Sequence, residues 1–246
     1  MSLYIKAETA SVFLDRLAPK SVDLILIDPP YYGIVEDSWD NQWKTEEAYR
    51  NWLVEHLKHA ATRLKPTGSL ITFGGIGRHE SHPFFSVILS VEKFLYFRNL
   101  ITWKKRRAYG KSHDYLFCRE EIAWFSVSKE RTEVTFNIPL LAEKRGYAGF
   151  DPRYPAKSEF KRVSNVWDDI PELMKPERSC QKPQDLIARL ITAHSNEGDL
   201  VVDFFAGYGT TGIVALNHGR RFLGCEAIKA DAEAANARCV KAAKGD

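Results

Sequence analysis

The chain predicts an α/β fold: a doubly wound, mostly parallel sheet of seven strands with helices on both faces. Three observations carry that expectation. The chain opens strand–helix–strand, the pattern of a parallel sheet. Short apolar runs then alternate with stretches of helical spacing along most of its 246 residues. In its last quarter a strand runs through a glycine turn into a helix start, over Leu200 to Gly212.

Each element has a local reason. Leu3 to Lys6 reads as a short strand with Glu8 just past its end, and Val12, Phe13 and Leu17 follow at helical spacing. Val22 to Ile27 is apolar and too short for a free-standing helix, so it reads as a buried strand. Thr45 is placed to cap a helix whose face carries Tyr49, Leu53, Leu57, Ala60 and Leu64, with Pro66 and Gly68 stopping it. Ser69 to Phe73 is the next strand, Phe84 to Val91 a helix, and Phe94 to Trp103 and Glu121 to Val127 two more strands. The alternation breaks over residues 128–182, which are rich in proline, charge and aromatic rings. That stretch reads as an insertion packed on the sheet, inside a single domain spanning residues 1–246. The α/β pattern then returns. It gives a helix face of Leu186, Ile187, Leu190 and Ile191, a strand at Leu200–Val202, a helix over Thr210–Asn217, a strand at Phe222–Cys225 and a terminal helix.

Bulk properties remove several function classes. Hydrophobic content of 44% and 27% charged residues are ordinary for a globular chain, and the net charge of +3 is too small to define a partner alone. The N-terminal residues lack a signal-peptide core and no apolar run spans a bilayer, so no membrane role and a cytoplasmic compartment are expected. Cys118, Cys180, Cys225 and Cys239 are scattered and form neither a disulfide framework nor a zinc motif. The pairs His56/His59 and His79/His82 have no third ligand at a sensible spacing, so no metal is expected. Neither a G-x-S-x-G elbow nor a G-K-[ST] loop is present.

Two motifs carry chemistry. The first is the end of the Val22–Ile27 strand, where Asp28, Pro29, Pro30 and Tyr31 follow. The prolines fix φ and donate no N–H, so the turn is stiff and presents carbonyls. One acceptor side chain, one carbonyl and one aromatic face suit a planar base gripped by its exocyclic amine. The second is Asp203-Phe204-Phe205-Ala206-Gly207-Tyr208-Gly209-Thr210-Thr211-Gly212, with Glu226 19 residues beyond Gly207. By spacing alone this matches a dinucleotide fingerprint. Its chemistry points elsewhere: Asp203 at the strand end repels a phosphate but suits the ammonium group of S-adenosylmethionine. Glu226 is then placed for ribose hydroxyls, and the glycines allow close backbone approach.

Together the two motifs resemble the exocyclic-amine DNA methyltransferases in their permuted, β-group order: catalytic Asp-Pro-Pro-Tyr first, target recognition next, cofactor loop last. The resemblance covers nearly the whole chain, including Leu64–Leu70, Gln181-Lys182-Pro183 and Gly224-Cys225-Glu226. It implies a class I, Rossmann-like methyltransferase sheet with residues 128–182 as the target-recognition insertion. It implies S-adenosylmethionine held by Glu8, Lys182, Asp203, Phe204, Phe205, Ala206, Gly207, Gly209, Thr210, Thr211 and Glu226. It implies catalysis by Asp28, Pro29, Pro30 and Tyr31 on the N6 amine of an adenine flipped from duplex DNA. Cytosine N4, RNA and a catalytically silent DNA-binding module are the rivals. The chain departs from the family pattern at Phe204, Tyr208, Ala7-Glu8 and Cys180.

Basic residues interleaved with aromatics fit DNA phosphates: Lys104, Lys105, Arg106, Arg107 and Lys111 beside Tyr109, and Lys144, Arg145 and Arg153 further on. The family resemblance leaves room for a homodimer and a cognate restriction endonuclease, in a bacterial or phage-type, nucleoid-associated setting. The spatial expectation is sharp. Asp28 and Asp203, 175 residues apart, must open into one cleft.

Overall fold

The computed structural model describes residues 4–32, 42–75, 83–110, 112–113, 115–144, 158–177 and 180–245. Its first half holds β1 (Ile5–Ala7), α1 (Ala10–Arg16), β2 (Val22–Ile27), α2 (Glu46–Ala61), β3 (Leu64–Gly74), α3 (Pro83–Val91), β4 (Tyr96–Tyr109) and β5 (Phe117–Ser126). The second half adds β6 (Leu140–Lys144), β7 (Phe160–Arg162), β8 (Val166–Trp167), α4 (Gln184–His194), β9 (Leu200–Asp203), α5 (Thr210–Asn217), β10 (Arg221–Glu226) and α6 (Lys229–Ala242).

One sheet organises these elements, in the order β1-β10-β9-β2-β3-β5-β4-β8. The seven expected strands are all there. The eighth, β8, is a two-residue strand from the 128–182 stretch that pairs parallel with β4 through Thr102–Val166 and Trp103–Trp167. Among the described residues of this sheet, only the β3–β5 and β5–β4 pairings are antiparallel. A separate ribbon joins β6 to β7.

Side-chain alternation along the strands assigns the two faces. Leu24 and Leu26 of β2 join one apolar cluster with Leu186 and Leu190 of α4, Val214 and Ala215 of α5 and Ala235 of α6. Ile25 and Ile27 join the other, with Phe13 of α1, Leu53 and Leu57 of α2 and Val87 of α3. Three helices therefore cover each face, the doubly wound arrangement. Residues 128–182 add Val134, Trp167 and Ile170 to the first cluster, where the Trp103 indole N–H donates to the Ile170 carbonyl at 2.7 Å.

Three local expectations shift. Thr45 caps α2 as expected, its hydroxyl accepting from the Ala48 N–H at 3.1 Å. The helix ends at Ala61, however, and Leu64 opens β3, because Leu64 pairs with Val22 across the sheet. Pro66 and Gly68 then sit in the irregular stretch between two pairing registers. Finally, β4 does not stop at Trp103. It continues through the basic residues to Tyr109, since β5 supplies ladder partners as far as Phe117. No helix among the described residues is long and apolar enough to cross a membrane.

The strand order fixes the site. From β2 the chain moves toward β3, whereas from β9 it moves toward β10, so β2 and β9 flank the switch point. They pair in parallel through Leu24–Val201 and Ile25–Val202. Asp23 ties the other end of this pair: its carboxylate accepts from the Leu200 N–H at 2.9 Å and from Lys65 Nζ at 2.7 Å.

Candidate active site

Parallel pairing brings the two motif acids to the same sheet edge. Asp28 follows β2 and Asp203 ends β9. Both acids therefore lie at the C-terminal ends of neighbouring parallel strands, and the charges of Asp28 and Glu226 each add to the rise of the Asp203 carboxyl.

Around Asp28, Tyr31 donates its hydroxyl to Oδ1 at 2.8 Å, and Lys182 donates from Nζ to Oδ2 at 2.5 Å. Burial raises the Asp28 carboxyl above the ordinary carboxylate value, with the Lys182 charge opposing. Burial also holds the Tyr31 phenol far above its usual range, reinforced by the Asp28 charge. Tyr31 is therefore a neutral donor, with its ring packed against the first apolar cluster. The Tyr49 hydroxyl of α2 donates to the Pro30 carbonyl at 2.9 Å and braces the turn from behind, next to Trp43 and Trp52. Pro29 is buried.

Lys182, expected at the cofactor, donates to the first-motif acid. Its Nζ lies 2.5 Å from Asp28 and 3.3 Å from Glu120 Oε2, 5.5 Å from the Tyr31 ring centre and 5.1 Å from that of Phe73. Burial works against its charge, but the two carboxylates outweigh that and raise the ammonium above the usual lysine range. Glu120, on β5, was not singled out in the sequence. Burial would raise its carboxyl, yet Lys182 and Lys105 bring it below the ordinary value. The signal was available: Arg119, Glu120 and Glu121 directly precede the apolar run Ile122–Phe125 of the strand, and period two sends the two acids to opposite faces.

The second motif forms a cradle. Asp203 is 3% exposed, and its partners are neutral: the Phe205 N–H at 3.0 Å and the Thr211 hydroxyl. Burial pushes its carboxyl up to about 7. Phe204 is buried among the α1–α3 cluster, and Phe205 packs at 5.5 Å from the Trp52 ring. Ala206, Thr210 and Thr211 are buried. Gly209 has φ +82°, and a side chain there would press on Ala235 and Ile5. Gly212 serves packing: an added Cβ would lie 2.6 Å from Cys239 Sγ and from the Phe222 ring. Glu226 Oε2 accepts from the Gly207 N–H and Oε1 from the Ile228 N–H, both at 3.1 Å, which orients its carboxylate at the end of β10. Glu8 stands beside it through the Ala7–Glu226 pairing, but its carboxylate is ion-paired with Arg16 at 3.0 Å.

The basic residues divide. Lys104 and Arg106 are exposed on β4. Lys105 turns inward to Glu120 and lies 5.2 Å from the Trp103 ring centre. Arg107 donates to the Met174 carbonyl at 3.1 Å. Lys144 pairs with Glu159 at 3.4 Å, with both side chains largely in solvent. Lys111, Arg145 and Arg153, and His79 and His82, lie outside the described residues. Among the described residues, no three His, Cys, Asp or Glu side chains gather as a metal site.

A doubly wound sheet with an acid-and-proline strand tip facing an acid-and-glycine loop across its switch point defines a methyltransferase of the class I fold. Its architecture matches the cytosine-N4-specific PvuII DNA methyltransferase, with a TM-score of 0.72 at 17% identity, covering 99% of this chain and 91% of that one. It also matches the M1.HpyAVI–SAM complex, with a TM-score of 0.63 at 21% identity over 96% of this chain and all of that one.

The chain belongs to the N6/N4 DNA methylase family, whose model, described as DNA methylase, matches residues 22–237. It is 32% identical over 237 residues to the type II methyltransferase M1.MboII of Moraxella bovis, covering 87% of each chain. It is 31% identical over 232 residues to the DNA adenine methyltransferase YhdJ of Escherichia coli K12, covering 87% of this chain and 74% of that one. It is thus a DNA methyltransferase of the family that modifies exocyclic amines.

Proposed function

We propose that the protein methylates the N6 amine of an adenine flipped out of duplex DNA, using S-adenosylmethionine. The observation that supports the reading is the parallel pairing of β2 with β9, which sets Asp28 and Asp203 at the same end of neighbouring strands. The donor set fits the cofactor. Asp203 is a buried acid with only neutral partners, set among other carboxylates, which favours an ammonium group and disfavours a phosphate. Glu226 is oriented for the ribose, and the loop from Phe204 to Gly209 has the backbone freedom to approach the methionine part.

When bound, S-adenosylmethionine supplies a methyl group made electrophilic by its sulfonium. The chain's own residues prepare the nucleophile. The Asp28 carboxylate and the Pro29 carbonyl accept the amine N–H bonds, which favours a pyramidal nitrogen with its lone pair free for attack. This is positioning plus fixed electrostatics, with no covalent enzyme intermediate. Once nitrogen carries the new methyl, Asp28 takes its surplus proton, a role helped by the raised carboxyl. Tyr31 offers its ring to the extruded base, a contact worth ~1–3 kcal/mol. Adenine is favoured over cytosine because the motif opens with Asp28 rather than Ser, the residue more common in N4 enzymes of the family. The expected site of action is the cytoplasm, where the DNA is.

Asp28→Ala tests the assignment. Methyl transfer should be lost while S-adenosylmethionine still binds in calorimetry; retained turnover refutes the role. Mapping modified bases in DNA from cells making the protein decides between N6-methyladenine and N4-methylcytosine.

A further inference from the structure

Both oxygens of Asp28 are engaged before any base arrives: Oδ1 by the Tyr31 hydroxyl and Oδ2 by Lys182 Nζ. The Lys182 ammonium is a cationic N–H donor on the carboxylate, 5.5 Å from the Tyr31 ring centre and 5.1 Å from that of Phe73. A target amine needs that same oxygen, and its ring needs that same aromatic surface. Lys182 therefore competes with the amine for Asp28 Oδ2 and for the space beside the Tyr31 ring.

It cannot simply leave. The side chain is 6% exposed, and a buried ammonium stripped of its carboxylate is costly. A second acceptor is already in reach. Glu120 Oε2 lies 3.3 Å from the same Nζ, already ion-paired with it at longer range than Asp28, while Oε1 is held by Lys105. The backbone around Lys182 is set by Pro183 at the start of α4 and by Cys180, whose φ of +64° is left-handed. The exchange is thus made by the end of the side chain.

We propose that Lys182 is a displaceable gate on the amine subsite, and that Glu120 is the positioning residue that receives its ammonium when the target base docks. This rests on the amine-methylating reading above. Glu120 holds its negative charge more firmly than Asp28, in line with its role as the resting place for the cation. In the closed state Lys182 pairs with Asp28, and its charge opposes the rise that burial imposes on that carboxyl. In the open state Asp28 Oδ2 is released to the base amine, Tyr31 still donates to Oδ1, and the ammonium keeps Glu120 as its carboxylate partner.

Glu120→Gln keeps the shape and removes the receiving charge. At saturating S-adenosylmethionine, the KM for unmethylated plasmid DNA should rise about tenfold or more, the scale of one charge-assisted hydrogen bond. The kcat should stay within about twofold and S-adenosylmethionine affinity should be unchanged. Glu120→Asp should recover part of the loss. The decisive comparison is the same substitution in a Lys182→Met background, where the KM penalty should disappear because nothing is left to be received. Equilibrium DNA binding with S-adenosylhomocysteine gives the same comparison if Lys182→Met turns over too slowly. A penalty of equal size in both backgrounds, or none in either, overturns the gate. Absence of transfer by the wild type overturns the amine-methylating reading and the gate together.

Discussion

Lowering the pH from 7 to 5.5 should weaken S-adenosylmethionine binding about fifteenfold, through Asp203 alone. Its carboxyl is pushed up to about 7 by burial, so without cofactor it keeps its proton until near neutrality. An ammonium group pairs with the ionised form, and binding below that value must expel the proton. With a single site, about half of the molecules are ionised at pH 7 and about 3% at pH 5.5, which gives the ratio. The sign follows: affinity is greatest above the raised value and falls about tenfold per pH unit beneath it. The window matters, because the amino group of the ligand itself loses charge near 8, as α-amino groups do at about 7.7–8.0. Calorimetry at pH 5.5, 6 and 7, repeated in two buffers of different ionisation enthalpy, reads both the affinity and the proton released. Asp203→Asn should bind more weakly and show no slope across this range. A wild-type dissociation constant that is level from 5.5 to 7 refutes the assignment of Asp203 to the ammonium.

Other expectations concern packing and DNA. Gly212→Ala should lower the melting temperature by an amount equivalent to about 1–3 kcal/mol, since the new Cβ meets Cys239 and Phe222 at 2.6 Å; an unchanged melting curve would show that α5 can shift away from β10. Replacing both Lys104 and Arg106 with alanine should reduce the salt slope of DNA binding by about 2, one per lost phosphate contact. Titration of a fluorescent duplex at several salt concentrations measures this, and an unaltered slope places those side chains away from DNA.

Much of the architecture was legible in the chain itself. The capping hydroxyl of Thr45, the apolar run Val22–Ile27, the two prolines after Asp28 and the glycines after Asp203 each act through near neighbours in sequence, so their signals survive without any fold. Register did not survive in the same way. Leu64 continues the helical spacing of α2 but joins a strand, because Val22 offers it a ladder partner. The basic run from Lys104 to Arg107 looks like a link between strands, yet lies within β4 because β5 runs alongside it.

The sequence by itself determined the fold class, the two chemical motifs and their order, since spacing and turn chemistry are written within a few residues. Only the tertiary structure decided that Lys182 grips Asp28, 154 residues away, that Glu120 is its alternative partner, and that Lys105 turns inward while Lys104 does not. A charge pair across a sheet edge depends on which strands become neighbours and which face each side chain takes. That is a property of the assembled sheet, and no short stretch of the chain contains it.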